Sequence, residues 1–337
     1  MREFCYLGTV FTPNGKFKLN HVILKNKAMK SLFTVRCTIM NHKMISPSIS
    51  LKLFDQLISP ILMYGAEIWA NEIKNENNSL EQICNSFYRF ILGVSKVTPI
   101  IGIKGELGRI PISIKAEIAQ IKYCYRLCTL PQSHILYYAL KEQIENNTNW
   151  IKHVYKVLGH NDLSYINDSN NINSINHFSK TLKIKLTKDY IESWREQLNK
   201  CETDGKEGNK LRTYRLFKKK FDLEDYLMKI KDFNLRKILS KFRLSDHNLA
   251  IELGRRIKPK IPANNRLCKK CDNNVVEDEM HFILDCDLYS QERMNLFYSC
   301  NLNPADKTNR EDIFIHIVKS SFALASFLKS TIFKSLT

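Results

Sequence analysis

Four residues near the end of the chain restrict its folding more than any others: Cys268, Cys271, His281 and Cys286, at the spacing C-x2-C-x9-H-x4-C. Two cysteines so close together grip one metal ion from a tight turn, and His281-Phe-Ile-Leu-Asp-Cys286 supplies two more ligands from the following segment. A Cys3His set is coordinatively closed, so the spacing predicts a structural Zn2+ in a small knuckle rather than a catalytic ion. The alternative is four reduced side chains in an apolar core, where free Cys is common.

Charge is concentrated beside that knuckle. From Lys206 to Lys270 there are 20 Lys and Arg against 7 Asp and Glu, in a chain whose formal net charge is +18. Candidate phosphate contacts in and around this stretch are Lys210, Arg212, Arg215, Lys218, Lys219, Lys220, Arg236, Lys237, Arg243, Arg255, Arg256, Lys269 and Lys270; Lys241, Lys258, Lys260 and Arg266 add to the cluster. Such a run neutralises phosphates and releases counterions, which makes RNA or DNA the leading partner. Tyr214, Phe217, Phe221, Tyr226, Phe233 and Phe242 are interleaved with it. They suit stacking on bases, and equally the buried faces of helices.

At 337 residues and 44% hydrophobic content the chain can bury one large core or two modest ones. The ten cysteines are scattered and no secretory leader pattern opens the sequence, which predicts a reducing, intracellular location, nucleus or cytoplasm. No apolar run reaches the ~18 residues of a membrane span. The longest, Leu57 to Trp69, contains Glu67.

Periodicity predicts a mostly α-helical protein. Tyr6 to Phe11, closed by Thr-Pro-Asn-Gly15, reads as a strand or short hairpin. Leu24, Ala28, Leu32, Val35 and Ile39 recur at helical spacing; Ser50 to Trp69 reads as a helix bent at Pro60; Leu80, Ile83, Cys84, Phe87 and Ile91 mark a third. The Gly- and Pro-containing stretch Gly93 to Pro111 reads as a loop, and Ile112 to about Leu130 as a helix. Asn161 to Asn176 reads as a linker. A helix around Asp189 to Lys200, basic helices, the knuckle and one closing helix with Phe314, Val318, Phe322, Ala325, Leu328 and Ile332 on a single face complete the chain.

Catalytic patterns are missing from the sequence. It has no Asp-Asp pair for a nucleotidyl-transfer palm, no Gly-x4-Gly-Lys-Ser/Thr loop, no Gly-x-Ser-x-Gly elbow and no His-Glu-x2-His. The dense carboxylate group Glu277-Asp278-Glu279 precedes His281 directly, which predicts support of the metal ligand or an acidic helix start.

Several motifs, taken in order, resemble the region downstream of the palm in LINE-type (non-LTR) retrotransposon reverse transcriptases. They are Tyr6-Leu7-Gly8 with Phe11 and Gly15; Pro60-Ile-Leu-Met-Tyr64-Gly65-Ala-Glu67-Ile-Trp69; and Gly105-Glu106-Leu107-Gly108-Arg109-Ile-Pro111. Lys210-Leu-Arg-Thr-Tyr214, Arg243-Leu-Ser245-Asp-His247-Asn-Leu-Ala-Ile251-Glu252-Leu-Gly254-Arg255 and the Cys268 to Cys286 segment are similar to the basic tail and terminal zinc knuckle of those polyproteins. The resemblance implies a helical thumb that cradles a template-primer duplex, with phosphate contacts from Lys25, Lys27, Lys30, Arg36, Lys104 and Arg109. It carries over no catalytic residue, because the family's Tyr/Phe-x-Asp-Asp motif lies upstream of Tyr-Leu-Gly, and here Met1 stands five residues before Tyr6. A truncated product without polymerase activity of its own is the expectation.

The sequence therefore predicts a thumb-like helical domain over 1–140, an Asn-rich linker region over 141–180, a basic helical region over 181–265, a zinc knuckle over 266–290 and a C-terminal helix over 291–337. Its expected role is to grip template-primer, element RNA or target DNA; its oligomeric state is left open. Two alternatives are a host zinc-knuckle adaptor with an acidic protein partner and a metal-dependent nuclease remnant. The second rests on Pro304-Ala-Asp306-Lys307 with Glu311 and Asp312, in the 51 residues after Cys286.

Overall fold

Most of the apolar spacing in the sequence becomes helix. The computed structural model describes residues 3–42, 45–73, 78–160, 175–200, 210–302 and 309–334. In chain order these form strands β1 (Phe4–Tyr6) and β2 (Thr9–Phe11), then helices α1 (Lys18–Asn41), α2 (Pro47–Leu57), α3 (Ser59–Leu62), α4 (Ala66–Trp69), α5 (Ser79–Leu92) and α6 (Ile100–Leu107). They continue with α7 (Ile112–Cys128), α8 (Ile135–Glu145), α9 (Asn149–His160), α10 (Ile175–Lys200), α11 (Tyr214–Phe217), α12 (Tyr226–Lys229) and α13 (Phe233–Arg243). The last are α14 (Ala250–Leu253), α15 (Ser290–Ser299), α16 (Arg310–Lys319) and α17 (Ser321–Lys334). The protein is mostly α with one short N-terminal hairpin, as expected.

Two compact units emerge, and their boundaries differ from the five consecutive segments read from sequence. One comprises Met1–Asn41, Leu51–Phe87 and Ile110–Ser193; the other His42–Ser50, Tyr88–Arg109 and Trp194–Thr337.

In the first unit, β1 and β2 pair antiparallel with Cys5 opposite Val10. Leu7 and Gly8 both take left-handed φ, 47° and 82°, the two-residue geometry that matches the twist of a hairpin. The Tyr64 hydroxyl donates to the Leu7 carbonyl, which ties the turn down. Helix α1 buries Leu24, Ala28, Leu32 and Val35. The predicted bent helix from Ser50 to Trp69 is three helices instead: the run parts at Ile58, just ahead of Pro60, and again at Gly65, whose φ of 69° precedes α4. Pro60 stands in the first turn of α3, where its missing N–H costs nothing. An apolar cluster joins α7, α8, α9 and α10 through Ile121, Tyr125, Leu140, Ile151, Val154, Leu158, Phe178 and Leu182. Each such side chain contributes about 1.5–3 kcal/mol of transfer free energy. Helix α9 thus occupies part of the expected linker region, with Ile151, Val154 and Leu158 in the core. The Asn-rich run 161–174 lies outside the described residues.

The second unit contains a larger departure. The Gly93 to Pro111 stretch is not a plain loop: α6 runs through it, and Gly102 to Leu107 are all buried. Its glycines permit close approach. A Cβ on Gly105 would meet Tyr214 Oη at 2.7 Å and Trp194 Cζ2 at 2.8 Å. The other end of α6 carries the unit's central polar contact. Arg243 grips Glu106 with two hydrogen bonds, Nε to Oε2 at 3.0 Å and Nη2 to Oε1 at 2.8 Å, and reaches Glu224 Oε2 at 2.6 Å. Lys218 Nζ completes the group at 2.5 Å from Glu224 Oε1. The Phe217 and Tyr226 rings lie 4.5 and 5.0 Å from the guanidinium. Burial alone works against the Arg243 charge, but Glu106 and Glu224 outweigh it and hold the guanidinium protonated. The expected single closing helix is two, α16 and α17, bent by 95° after Lys319, with Phe322 facing solvent rather than the core. Among the described residues, no single helix is long and apolar enough to cross a membrane.

Removing one partner of a buried ion pair strands the other charge, which costs about 3–5 kcal/mol. Arg243→Ala is expected to destabilise the second unit by that amount in urea unfolding followed through Trp194. Lys219→Ala, at an exposed position, is expected to stay within about 0.5 kcal/mol of the parent. Equal losses would contradict this assignment.

Candidate metal centre and nucleic-acid interface

The knuckle is built on a short antiparallel clasp. Leu267 bridges Val276, Cys268 N–H donates to Val275 O at 2.8 Å, and Glu277 N–H donates to Arg266 O at 3.0 Å. The turn between these strands presents Cys268 and Cys271. Arg266 braces it from below: buried, it donates to the carbonyls of Ile251 (2.9 Å) and Ile261 (2.8 and 2.6 Å). The second ligand pair comes from a π-turn, His281–Asp285, closed by Cys286 N–H donating to His281 O at 2.9 Å. At 3.6 residues per turn, positions five apart on an α-helix face different directions. The wider i→i+5 turn brings His281 and Cys286 back to one side.

The four ligand atoms converge. All lie within 4.8 Å of one another, with Cys268 Sγ 3.9 Å from Cys286 Sγ and Cys271 Sγ 3.4 Å from His281 Nε2. This set could hold a metal ion, and among the described residues no other group of three or more His, Cys, Asp and Glu side chains does so. Cys268, His281 and Cys286 are buried and Cys271 is partly exposed. Burial pushes the Cys286 thiol up to about 12 and raises that of Cys268, so a binding metal must displace protons.

The three neighbouring carboxylates hold the frame. Glu277 accepts the Ala250 N–H at 2.6 Å and faces Lys270 Nζ at 3.2 Å; Asp278 accepts the His281 N–H at 2.8 Å and so positions a ligand through its main chain. Glu279 is fully buried between Arg212 and His247. Burial would raise its carboxyl, but the His247 hydrogen bond and charge and the Arg212 guanidinium outweigh this and hold it at about 2.

The predicted phosphate contacts divide sharply. Lys218, Arg236 and Arg243 are buried, which corrects their reading as surface cations: Lys218 and Arg243 serve the Glu106 and Glu224 carboxylates, and Arg236 donates to the carbonyls of Ile230 and Lys231 at 2.8 and 2.7 Å. Lys104 is fully buried as well. Arg212 and Arg255 pair with Glu252, Arg256 with Asp246 and Lys270 with Glu277. Lys210 donates to Val97 O at 2.9 Å, and Arg109 to the Tyr88 hydroxyl at 3.4 Å. Arg215 and Lys237 are half-buried. Lys219, Lys220 and Lys269 are exposed, as are Lys231, Lys258 and Lys260 nearby. Of the aromatics, Tyr214, Tyr226 and Phe242 belong to the core, and Phe233 is 42% exposed. The nuclease-like residues 304–307 lie outside the described residues.

Metal-free protein is expected to take up one Co2+ per chain and to develop the visible spectrum of a tetrahedral thiolate site, with release of protons. Cys271→Ser and Cys286→Ser should each abolish that spectrum. Full uptake by the double variant would show that these residues do not form the site.

Comparison with known proteins identifies no relative: no family model matches the chain, and neither does any curated protein or any solved structure.

Proposed function

We propose that the second unit is a nucleic-acid-binding module in which one structural Zn2+ holds the knuckle and the exposed lysines around it meet phosphates. Within that reading the whole chain is the thumb and C-terminal part of a LINE-type reverse transcriptase, gripping template-primer, element RNA or target DNA, with chemistry supplied by a palm that this sequence does not contain. The carrying observation is the excess of 20 cations over 7 anions next to a converged Cys3His set. The order of the sequence motifs supports the family.

Zinc suits the ligand chemistry. Bonds of ~2.3 Å to sulfur and ~2.0–2.1 Å to nitrogen in a tetrahedron require edges of about 3.8 Å between sulfurs and about 3.5 Å between sulfur and nitrogen. The observed 3.9 and 3.4 Å lie close to both. All four positions are filled by protein, so the ion shapes the surface and leaves no open site for substrate.

Internal pairing limits what the charge can do. Cations engaged with Glu106, Glu224, Glu252 and Glu279 stabilise the unit, and the phosphate contacts fall to Lys219, Lys220, Lys231, Lys258, Lys260 and Lys269. Six phosphates of a single strand correspond to a slope of log K against log salt of roughly −4, and to a more than hundredfold loss of affinity between about 50 and 200 mM salt. Replacing Lys219, Lys220 and Lys269 together by Gln is expected to reduce the magnitude of the slope by about 2 without unfolding the protein. Salt-independent binding, or an unchanged slope in that variant, would overturn the proposal.

A further inference from the structure

The first unit carries an open cleft of about 930 Å3, within the size range of small-molecule sites. Its floor is apolar. Leu127 and Leu140 are buried there, and Phe17, Tyr123 and Trp150 are half-buried. Trp150 and Tyr123 meet edge to face, with ring centroids 6.5 Å apart and planes at 86°. The Trp150 indole N–H donates to Glu67 O at 2.9 Å, which fixes the ring plane.

Around this aromatic floor the lining is rich in amides, from Asn71, Gln143 and Asn149, and Lys16 adds one exposed cation. Glu72 also lines it. Its Oε2 accepts the Phe17 N–H at 2.9 Å, and a carboxylate has lone pairs enough to accept from a ligand donor as well. An acyl chain would cover these groups without pairing them, at a cost for each one. A flat heteroaromatic with donors and acceptors along its edge satisfies both the floor and the rim. A carboxylate acceptor favours an exocyclic amino group, as Glu does with cytosine N4, and Lys16 suits an attached phosphate.

We propose that this cleft binds a nucleobase bearing a phosphate, stacked on Trp150 with the perpendicular Tyr123 ring at the edge of the base, and with Glu72 selecting bases that carry an amino group. The source is a free nucleotide or an unpaired residue of a strand. The inference stands on the cleft lining alone and not on the basic segment of the second unit.

Trp69 and Trp194 are 0% and 1% exposed, so Trp150 is the indole placed to report binding. In titrations with AMP, CMP, GMP, UMP and ribose 5-phosphate, saturable quenching of tryptophan fluorescence is expected from the nucleotides. The amino-bearing bases should bind about fivefold or more tighter than UMP, the lower end of discrimination by a paired base edge. Glu72→Gln keeps an oxygen for Phe17 N–H and should remove that preference. Trp150→Phe should abolish the quenching, while calorimetry shows binding retained within a few-fold because a ring still stacks. A short oligonucleotide that binds tighter than its mononucleotide identifies a strand as the source; equal binding identifies the free nucleotide. No saturable quenching, equal binding of ribose 5-phosphate, or an unchanged base preference in Glu72→Gln would overturn the proposal. Mononucleotide binding is read separately from the salt slope, so either proposal can fail without the other.

Discussion

The buried contact between Arg243 and Glu106 sets the terms for the second unit. A guanidinium taken out of water must be matched on its whole fork, and here two carboxylates and two aromatic rings do so. That requirement fixes several elements at once. Glu106 must arrive on a helix that packs tightly enough to be lined with glycine, Glu224 must be held by its N–H on Glu106 O at 3.0 Å, and Lys218 must turn inward to balance the second carboxylate. The basic segment is therefore a scaffold first. Its charge count overstates what reaches solvent.

The metal knuckle follows the same logic on a smaller scale. Arg266 braces the clasp through three carbonyl contacts, and Asp278 orients His281 through its N–H. Glu277 joins the clasp to the start of α14. These contacts bring the four side chains together by ordinary hydrogen bonding, in a set that could hold a metal ion. Under the proposed function, an ion bound there would lend rigidity to the surface around Lys269, where the proposed interface lies.

What was legible in the sequence depended on the range of the interaction. The Cys3His set and the core faces of α1 and α5 were readable because spacing alone specifies them, and α7 was readable as a helix though not by its core face. Helix α6 was hidden because Gly102 and Gly105 signal a loop locally, whereas their purpose is to admit Leu244, Leu211, Trp194 and Tyr214 from distant parts of the chain. The π-turn at His281 was invisible for a related reason: an i→i+5 turn has no periodic signature of its own. The division of the basic cluster into buried and exposed members could not be read at all. Lys218, Lys219 and Lys220 are adjacent and chemically identical, and the positions of Asp222 and Glu224 decide which one turns inward. The split of the C-terminal helix at Ser320 was likewise masked by an apolar spacing that runs straight across the bend.

Lysine acylation read by mass spectrometry, with and without single-stranded RNA, tests most directly the account of a basic segment that is part scaffold and part binding surface. In free protein Lys219, Lys220, Lys258, Lys260 and Lys269 should react and Lys218 should not; added RNA should protect the reactive set and leave Lys218 unchanged. Labelling of Lys218 as fast as Lys219, or exposed lysines that stay fully reactive on saturating RNA, would contradict it.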